Sequence, residues 1–126
     1  FRSDPKSALK RVAEAEQTRK IGTGVRLADP NAAIVVLGDF NSTPGSDPMN
    51  ALAGIAPFLL SSATAALPAA DRYSVTFGGN AELFDDQLCD PVATSLLDAA
   101  SVQIVHGGAV NTASDHDPVV ATYGLR

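Results

Sequence analysis

The sequence predicts an α/β domain rich in turns. Three observations carry that expectation. One long stretch near the start has apolar residues at helical spacing, several short runs are aliphatic or alternate in polarity, and ten Gly and eight Pro fall largely between them in a chain of 126 residues. The length suits a single domain over 1–126, and with 45% apolar residues a core can form. Charged residues make up only 18%, below the usual quarter, as expected where much surface is buried. No internal repeat and no domain boundary is visible.

Residues 5 to about 27 place Ala8, Leu9, Val12, Ala13, Ala15, Ile21 and Val25 three or four apart among charged residues, the pattern of an amphipathic helix. Ser3 or Asp4 offers the N-cap, Pro5 the first helical position, and Gly22 and Gly24 are expected to fray or end it. Asp29-Pro30-Asn31 then turns the chain into a strand over 32–37. After a loop over 42–48, a second helix is expected from Pro48 through Ala53, capped by Ser46 or Asp47 and stopped by Gly54 and Pro57. The Ala/Ser-rich stretch 59–70 reads as a poorly ordered connection. Tyr73 to Phe77 alternates like a strand, Gly78-Gly79-Asn80 turns, and Leu83 to Cys89 reads as the partner strand. A helical turn over 92–99, a strand over 102–106, a loop over 107–113 and a strand over 118–123 complete the chain.

The net charge of −5 disfavours sequence-independent attachment to nucleic acid, which relies on clustered Lys and Arg. It does not disfavour an enzyme that touches nucleic acid transiently, because a divalent cation can invert the local field. Cys89 is the only cysteine, so no intrachain disulfide and no cysteine-based zinc site is possible, and a small buried hydrophobe is its expected role. No apolar run reaches the roughly 20 residues that span a bilayer.

Chemistry concentrates at two places. Gly38-Asp39-Phe40-Asn41 follows the first aliphatic run, and Ser114-Asp115-His116-Asp117 precedes the last. On an extended segment Asp39 and Asn41 share a face while Phe40 turns toward the core. Carboxylates, an amide and an imidazole are the inventory of phosphoester hydrolysis, which needs an activated water, neutralised phosphate oxygens and a stabilised leaving group. Either motif alone is equally well explained as a solvated turn with Asx hydrogen bonds. His106 is expected to be a surface residue at a strand end, Asp117 a brace for its turn, and Tyr73 and Phe77 core or cleft wall.

Together and in this order, the two motifs resemble the endonuclease/exonuclease/phosphatase superfamily. Its members carry a Gly-Asp-Phe-Asn strand end, a terminal Ser-Asp-His-Asp-Pro-Val strand, and between them an Asp on a strand. Here Phe84-Asp85-Asp86-Gln87-Leu88-Cys89-Asp90-Pro91 matches that intermediate pattern, with Asp85 as the acid and Asp86 as the alternative one position on. The lead-in from Asp71 to Asn80 is similar to the bacterial nuclease branch, which is often secreted. The resemblance implies a fold that is half of a four-layered α/β sandwich, a mostly antiparallel sheet flanked by helices. It implies catalytic roles for Asp39, Asn41, Asp85 and His116: Asp39 on the attacking water or leaving oxygen, Asn41 donating to the phosphate, and His116 binding phosphate oxygen or carrying a proton. Asp85 would hold the His116 tautomer, and a carboxylate in that position orients an imidazole and raises its pKa in any protein. Asp115, Asp39 and Asn41 would serve a Mg²⁺ ion, with Mn²⁺ as a substitute, since oxygen donors suit a hard cation.

Family members are about twice this length, and their first half supplies an Asn and a metal-binding Glu that have no counterpart here. Glu14 and Glu16 read as solvated helix face. The expectation is therefore a C-terminal half of a metal-dependent phosphodiesterase, a nuclease acting on DNA or RNA, whose partner is the missing N-terminal half and which alone has little activity. A phosphatase or sphingomyelinase-like phosphodiesterase uses the same residues. A half-domain without catalysis, associating through an uncovered apolar face, is the reading from a different class.

Overall fold

The computed structural model describes residues 4–55 and 58–124; the candidate cap Ser3 and the candidate stop Pro57 lie outside them. The fold is mixed α/β, with small antiparallel sheets and helices. Helix α1 spans Pro5–Ala28, β1 Val35–Asp39, α2 Asp47–Ala53 and β2 Ser61–Ser62. After two 3-10 turns at Ala63–Ala66 and Ala69–Asp71 come β3 Val75–Phe77, β4 Asn80–Glu82 and β5 Asp85–Cys89. Helix α3 spans Pro91–Leu96, β6 Leu97–Ile104, α4 Val110–Ala113 and β7 Val119–Tyr123.

The Asp4 carboxylate caps α1 by accepting from the Lys6 N–H at 3.0 Å, with Pro5 in the first turn. The helix does not fray at Gly22 or Gly24. Gly22 is buried because the Phe58 ring lies against it, and a Cβ there would stand 2.7 Å from the ring's Cζ. Close ring packing thus outweighs a glycine penalty of about 1 kcal/mol. Gly22→Val is expected to destabilise the fold by about 1–3 kcal/mol through overpacking, read as a lowered midpoint in urea denaturation. The amphipathic pattern is only partly used, since Ala15 is buried while Leu9, Ile21, Val25 and Leu27 face outward.

Helix α2 begins at Asp47, one residue before the expected Pro48, and the Ser46 hydroxyl donates to the Thr43 carbonyl at 2.7 Å instead of capping. Gly54 ends it at φ 65, where the left-handed backbone suits glycine. A Cβ at Gly54 would fall within the Arg19 guanidinium, which donates to the carbonyls of Ala53 and Ile55 at 3.1 Å each. That guanidinium fastens the end of α2 to α1.

Strand β1 runs later than its aliphatic stretch predicts, so that Asp39 belongs to the strand. The central strand is β5, antiparallel to β1 on one side and β2 on the other. The expected pairing of 73–77 with 83–89 is not formed. The two-residue turn Gly78-Gly79, at φ 58 and 82, pairs β3 with the short β4, and the chain then leaves the hairpin so that β5 reaches β1. Nor is 59–70 a poorly ordered connection: Leu60, Ala63 and Thr64 are buried under β5 and β6. Strand β6 starts at Leu97 rather than near 102 and pairs with β7, with an irregularity between Asp98 and Gln103. Within the expected loop 107–113, the last four residues form α4.

Alternation along β1 and β5 divides the core. Val36 and Leu88 join Ala15, Met49, Leu52, Phe58 and Leu60 under α1 and α2. Val35 and Cys89 join Ala63, Ala93 and Val102 under β6 and β7. Cys89 is buried, as expected, with its Sγ 3.2 Å from the Tyr123 hydroxyl. One carboxylate ties the layers together. Fully buried Asp90 caps α3 by accepting from the Ala93 N–H at 2.8 Å, accepts from the Ile34 N–H at 3.1 Å beside β1, and meets the Arg26 guanidinium of α1.

Candidate active site

The register of β1 against β5 sets Asp39 opposite Asp85 at one end of the sheet. Because side chains alternate across a strand, Leu37, Asp39, Asp85 and Gln87 fall on one face. Phe40 turns the other way and packs on the core beneath α1 and α2. His116 arrives from the segment before β7, held there by an antiparallel bridge with Val75. Its Nδ1 lies 2.6 Å from Asp85 Oδ2, and one ligand atom from each of Asp39, Asp85 and His116 falls within 4.8 Å of the others. Three separate segments therefore converge on one point.

Asn41 adopts φ 47, a left-handed conformation that Asn tolerates better than most residues. Its backbone N–H donates to Asp39 Oδ1 at 2.8 Å and its side-chain amide to Asp39 Oδ2 at 3.0 Å. The Asx turn and the site geometry are thus the same structure: Asn41 holds the Asp39 carboxylate in place. Asp115 is exposed and lies outside the converging group, since its neighbour His116 takes the face toward β5; it lines a second cavity with Tyr73, His106 and Asp117. Asp86 is buried on the opposite face, 2.5 Å from the Ser62 hydroxyl, and its pKa is raised by burial against the opposing effect of that hydrogen bond. Asp85, not Asp86, is the partner of His116. Glu14 and Glu16 are exposed on α1, as expected.

Two features escaped the sequence. Ser74 is fully buried, and its hydroxyl accepts from the backbone N–H groups of Phe84 and Asp85 at 3.0 and 2.9 Å, which fixes the start of β5. His106 is not a free surface residue: its Nδ1 lies 2.7 Å from Asp117 Oδ2, and its ring stacks on Tyr73 at 4.1 Å. The pairing of Ile104 with Val119, continued two residues outward, sets His106 opposite Asp117, so the strand register was the signal that would have found this pair. Phe77, expected in core or cleft wall, is 81% exposed at the tip of the hairpin bridged to His116.

The pKa of His116 is raised, chiefly by its hydrogen bond to Asp85; burial works against this, and the charges of Asp85, Asp39 and Asp115 add to it. Since the folded value lies above the unfolded one, protonated His116 contributes stability that is complete below about pH 6.5 and lost as pH rises through the folded value. Thermal melts are therefore expected to show Tm falling from mildly acidic to mildly alkaline pH. His116→Ala should flatten that slope. A wild-type slope retained unchanged in the variant would assign it to other groups.

Two carboxylates and an imidazole can take a divalent cation, and Mg²⁺ is often held by one or two carboxylates with water and phosphate completing its shell. Of the expected oxygen donors, Asp39 stands in the converging group, Asn41 is hydrogen-bonded to its carboxylate, and Asp115 lies outside the group. Comparison of the chain with protein-family models, with curated proteins and with solved structures finds no match.

Proposed function

We propose that this chain belongs to a metal-dependent phosphodiesterase that acts on DNA or RNA. The observation that carries the reading is the convergence of Asp39, Asp85 and His116 from β1, β5 and the segment before β7, with His116 bonded to Asp85 at 2.6 Å. With Nδ1 engaged by Asp85, Nε2 is the nitrogen turned to a phosphate oxygen or a departing alkoxide, and the carboxylate favours the imidazolium that would donate to it. Asp39, steadied by Asn41, is placed to orient or deprotonate an attacking water. A divalent cation bound by Asp39 and Asp85 would neutralise phosphate charge and lower the pKa of a bound water. The antiparallel sheet with α1 and α2 on one face suits half of a layered α/β sandwich.

Exposed Phe77 favours a nucleic acid over a small phosphoester, because bases stack on aromatic rings without regard to sequence. Phe77→Ala is expected to raise KM for single-stranded DNA by about 5-fold to 100-fold, in line with about 1–3 kcal/mol per stacked base, and to leave bis-p-nitrophenyl phosphate kinetics alone. Equal effects on both substrates would favour the phosphatase or sphingomyelinase-like alternative. A second reading draws on exposed Leu37 and the open cleft of about 390 Å³ that it lines with Val110, Ala113 and Val119 beside Asp85. An apolar wall beside a catalytic constellation suits association with a complementary domain, of which catalysis would then be a joint property.

The test is Mg²⁺- or Mn²⁺-dependent hydrolysis of plasmid DNA and bis-p-nitrophenyl phosphate by the chain, alone and with a complementary N-terminal half, with His116→Ala as control. Hydrolysis lost with the metal and with the substitution supports the reading. A folded chain inactive in every combination overturns it.

A further inference from the structure

We propose that His106 is a doubly protonated imidazolium that positions the Asp85–His116 pair by fastening the 71–74 segment to the segment before β7. Its two ring nitrogens face two acceptors: Nδ1 lies 2.7 Å from Asp117 Oδ2, and Nε2 lies 3.0 Å from the Asp71 carbonyl oxygen. A carboxylate and a backbone carbonyl only accept, so both bonds form together only when both nitrogens carry protons; either neutral tautomer sets a lone pair against an oxygen. The Tyr73 ring, 4.1 Å away and tilted by 12°, fixes the plane of the imidazole and gives a cation an aromatic face. The charged groups around the ring are the carboxylates of Asp117 and Asp71, with Asp115 on the wall of the same cavity, and no Lys or Arg lines that cavity among the described residues. Burial alone would lower the His106 pKa, and the hydrogen bonds and charges of Asp117 and Asp71 outweigh it.

From this ring the path to the site is short. The Asp117 N–H donates to the Ser74 carbonyl at 2.7 Å, the Ser74 hydroxyl receives the Phe84 and Asp85 N–H groups, and Asp85 holds His116. His106 lies outside the converging group of Asp39, Asp85 and His116, so it is a positioning residue. What it positions rests on the hydrolase reading; its protonation and its fastening do not.

The experiment is NMR of the ring nitrogens of the whole chain near neutral pH. Both His106 nitrogens are expected at protonated shifts, and one nitrogen with a lone-pair shift would overturn the proposal. The fastening is read by amide hydrogen exchange in His106→Phe, which keeps a flat ring on Tyr73 and removes both donors. Exchange at Asp117, Phe84 and Asp85 should accelerate by about tenfold or more while the β1–β5 ladder changes by less than about twofold, the mark of a local opening. Unchanged exchange at those three amides would overturn the positioning role. Should the variant not fold, the same amides in the wild-type chain, followed as pH rises through loss of the second ring proton and corrected for intrinsic exchange, give the same decision. Neither readout uses activity, so a chain without phosphodiesterase activity would leave both intact.

Discussion

Replacing His116 with Ala is expected to lower metal-dependent phosphodiester hydrolysis by more than about a hundredfold in kcat, the scale of a lost general acid or transition-state donor. The magnitude follows from geometry. The imidazole reaches the carboxylate of β5 at 2.6 Å and shares a 4.8 Å neighbourhood with Asp39, so Ala removes its proton from the middle of the converging group. Asp39→Ala should cost as much, since it removes a carboxylate from the converging group and leaves Asn41 without its acceptors. Asp85→Asn keeps the shape of the pair and removes its charge. The His116 pKa then falls toward the ordinary histidine value, and the limb of the kcat profile that depends on the imidazolium should move to lower pH. Steady-state kinetics across pH with bis-p-nitrophenyl phosphate measures all three. Turnover within a few-fold of wild type in His116→Ala would remove that residue from the mechanism.

The largest effect on stability is expected at Asp90. Asp90→Ala withdraws the cap of α3 and the acceptor for Ile34, and leaves the Arg26 guanidinium facing a buried site without its counter-charge. Breaking a buried ion pair from one side typically costs about 3–5 kcal/mol, a large share of a domain stability of order 5–15 kcal/mol. Arg26→Met tests the same pair from the other side and should also destabilise strongly, because it strands a carboxylate that is fully buried. Combining the two changes should cost less than their sum, since the pair is then removed as a unit. Urea unfolding monitored by circular dichroism gives each value. Losses under about 1 kcal/mol in both single variants would show that the pair is solvated in solution.

The parts of the fold legible in the sequence were those decided locally. Pro5 after Asp4, the aliphatic run into Asp39 and the alternation that turns Phe40 to the core while presenting Asp39 all depend on residues a few positions apart. The partnership of His116 with Asp85 was legible only through motif order. What was missed depends on distant partners. Nothing near Gly22 announces that Phe58 will lie on it, and nothing near Ser74 announces that its hydroxyl will receive the first amides of β5. The exit of the chain from the β3–β4 hairpin was hidden for the same reason, because β5 is claimed by β1 and β2 rather than by its nearest neighbour in sequence. The second histidine pair needed the β6–β7 register before His106 and Asp117 could be seen to face each other.

The central position of β5 also bears on how the chain is made. Among the described residues strand β1 pairs with β5 alone, and Val35 meets Cys89 roughly fifty residues later in the chain. At about 5–20 residues per second of synthesis, β1 leaves the ribosome several seconds before its partner exists. During that interval its aliphatic run and unpaired backbone are exposed to other chains, a recognised opening for aggregation. Helices α1 and α2 are complete early and share the core that will cover one face of β1, so they can shelter the strand before β5 arrives.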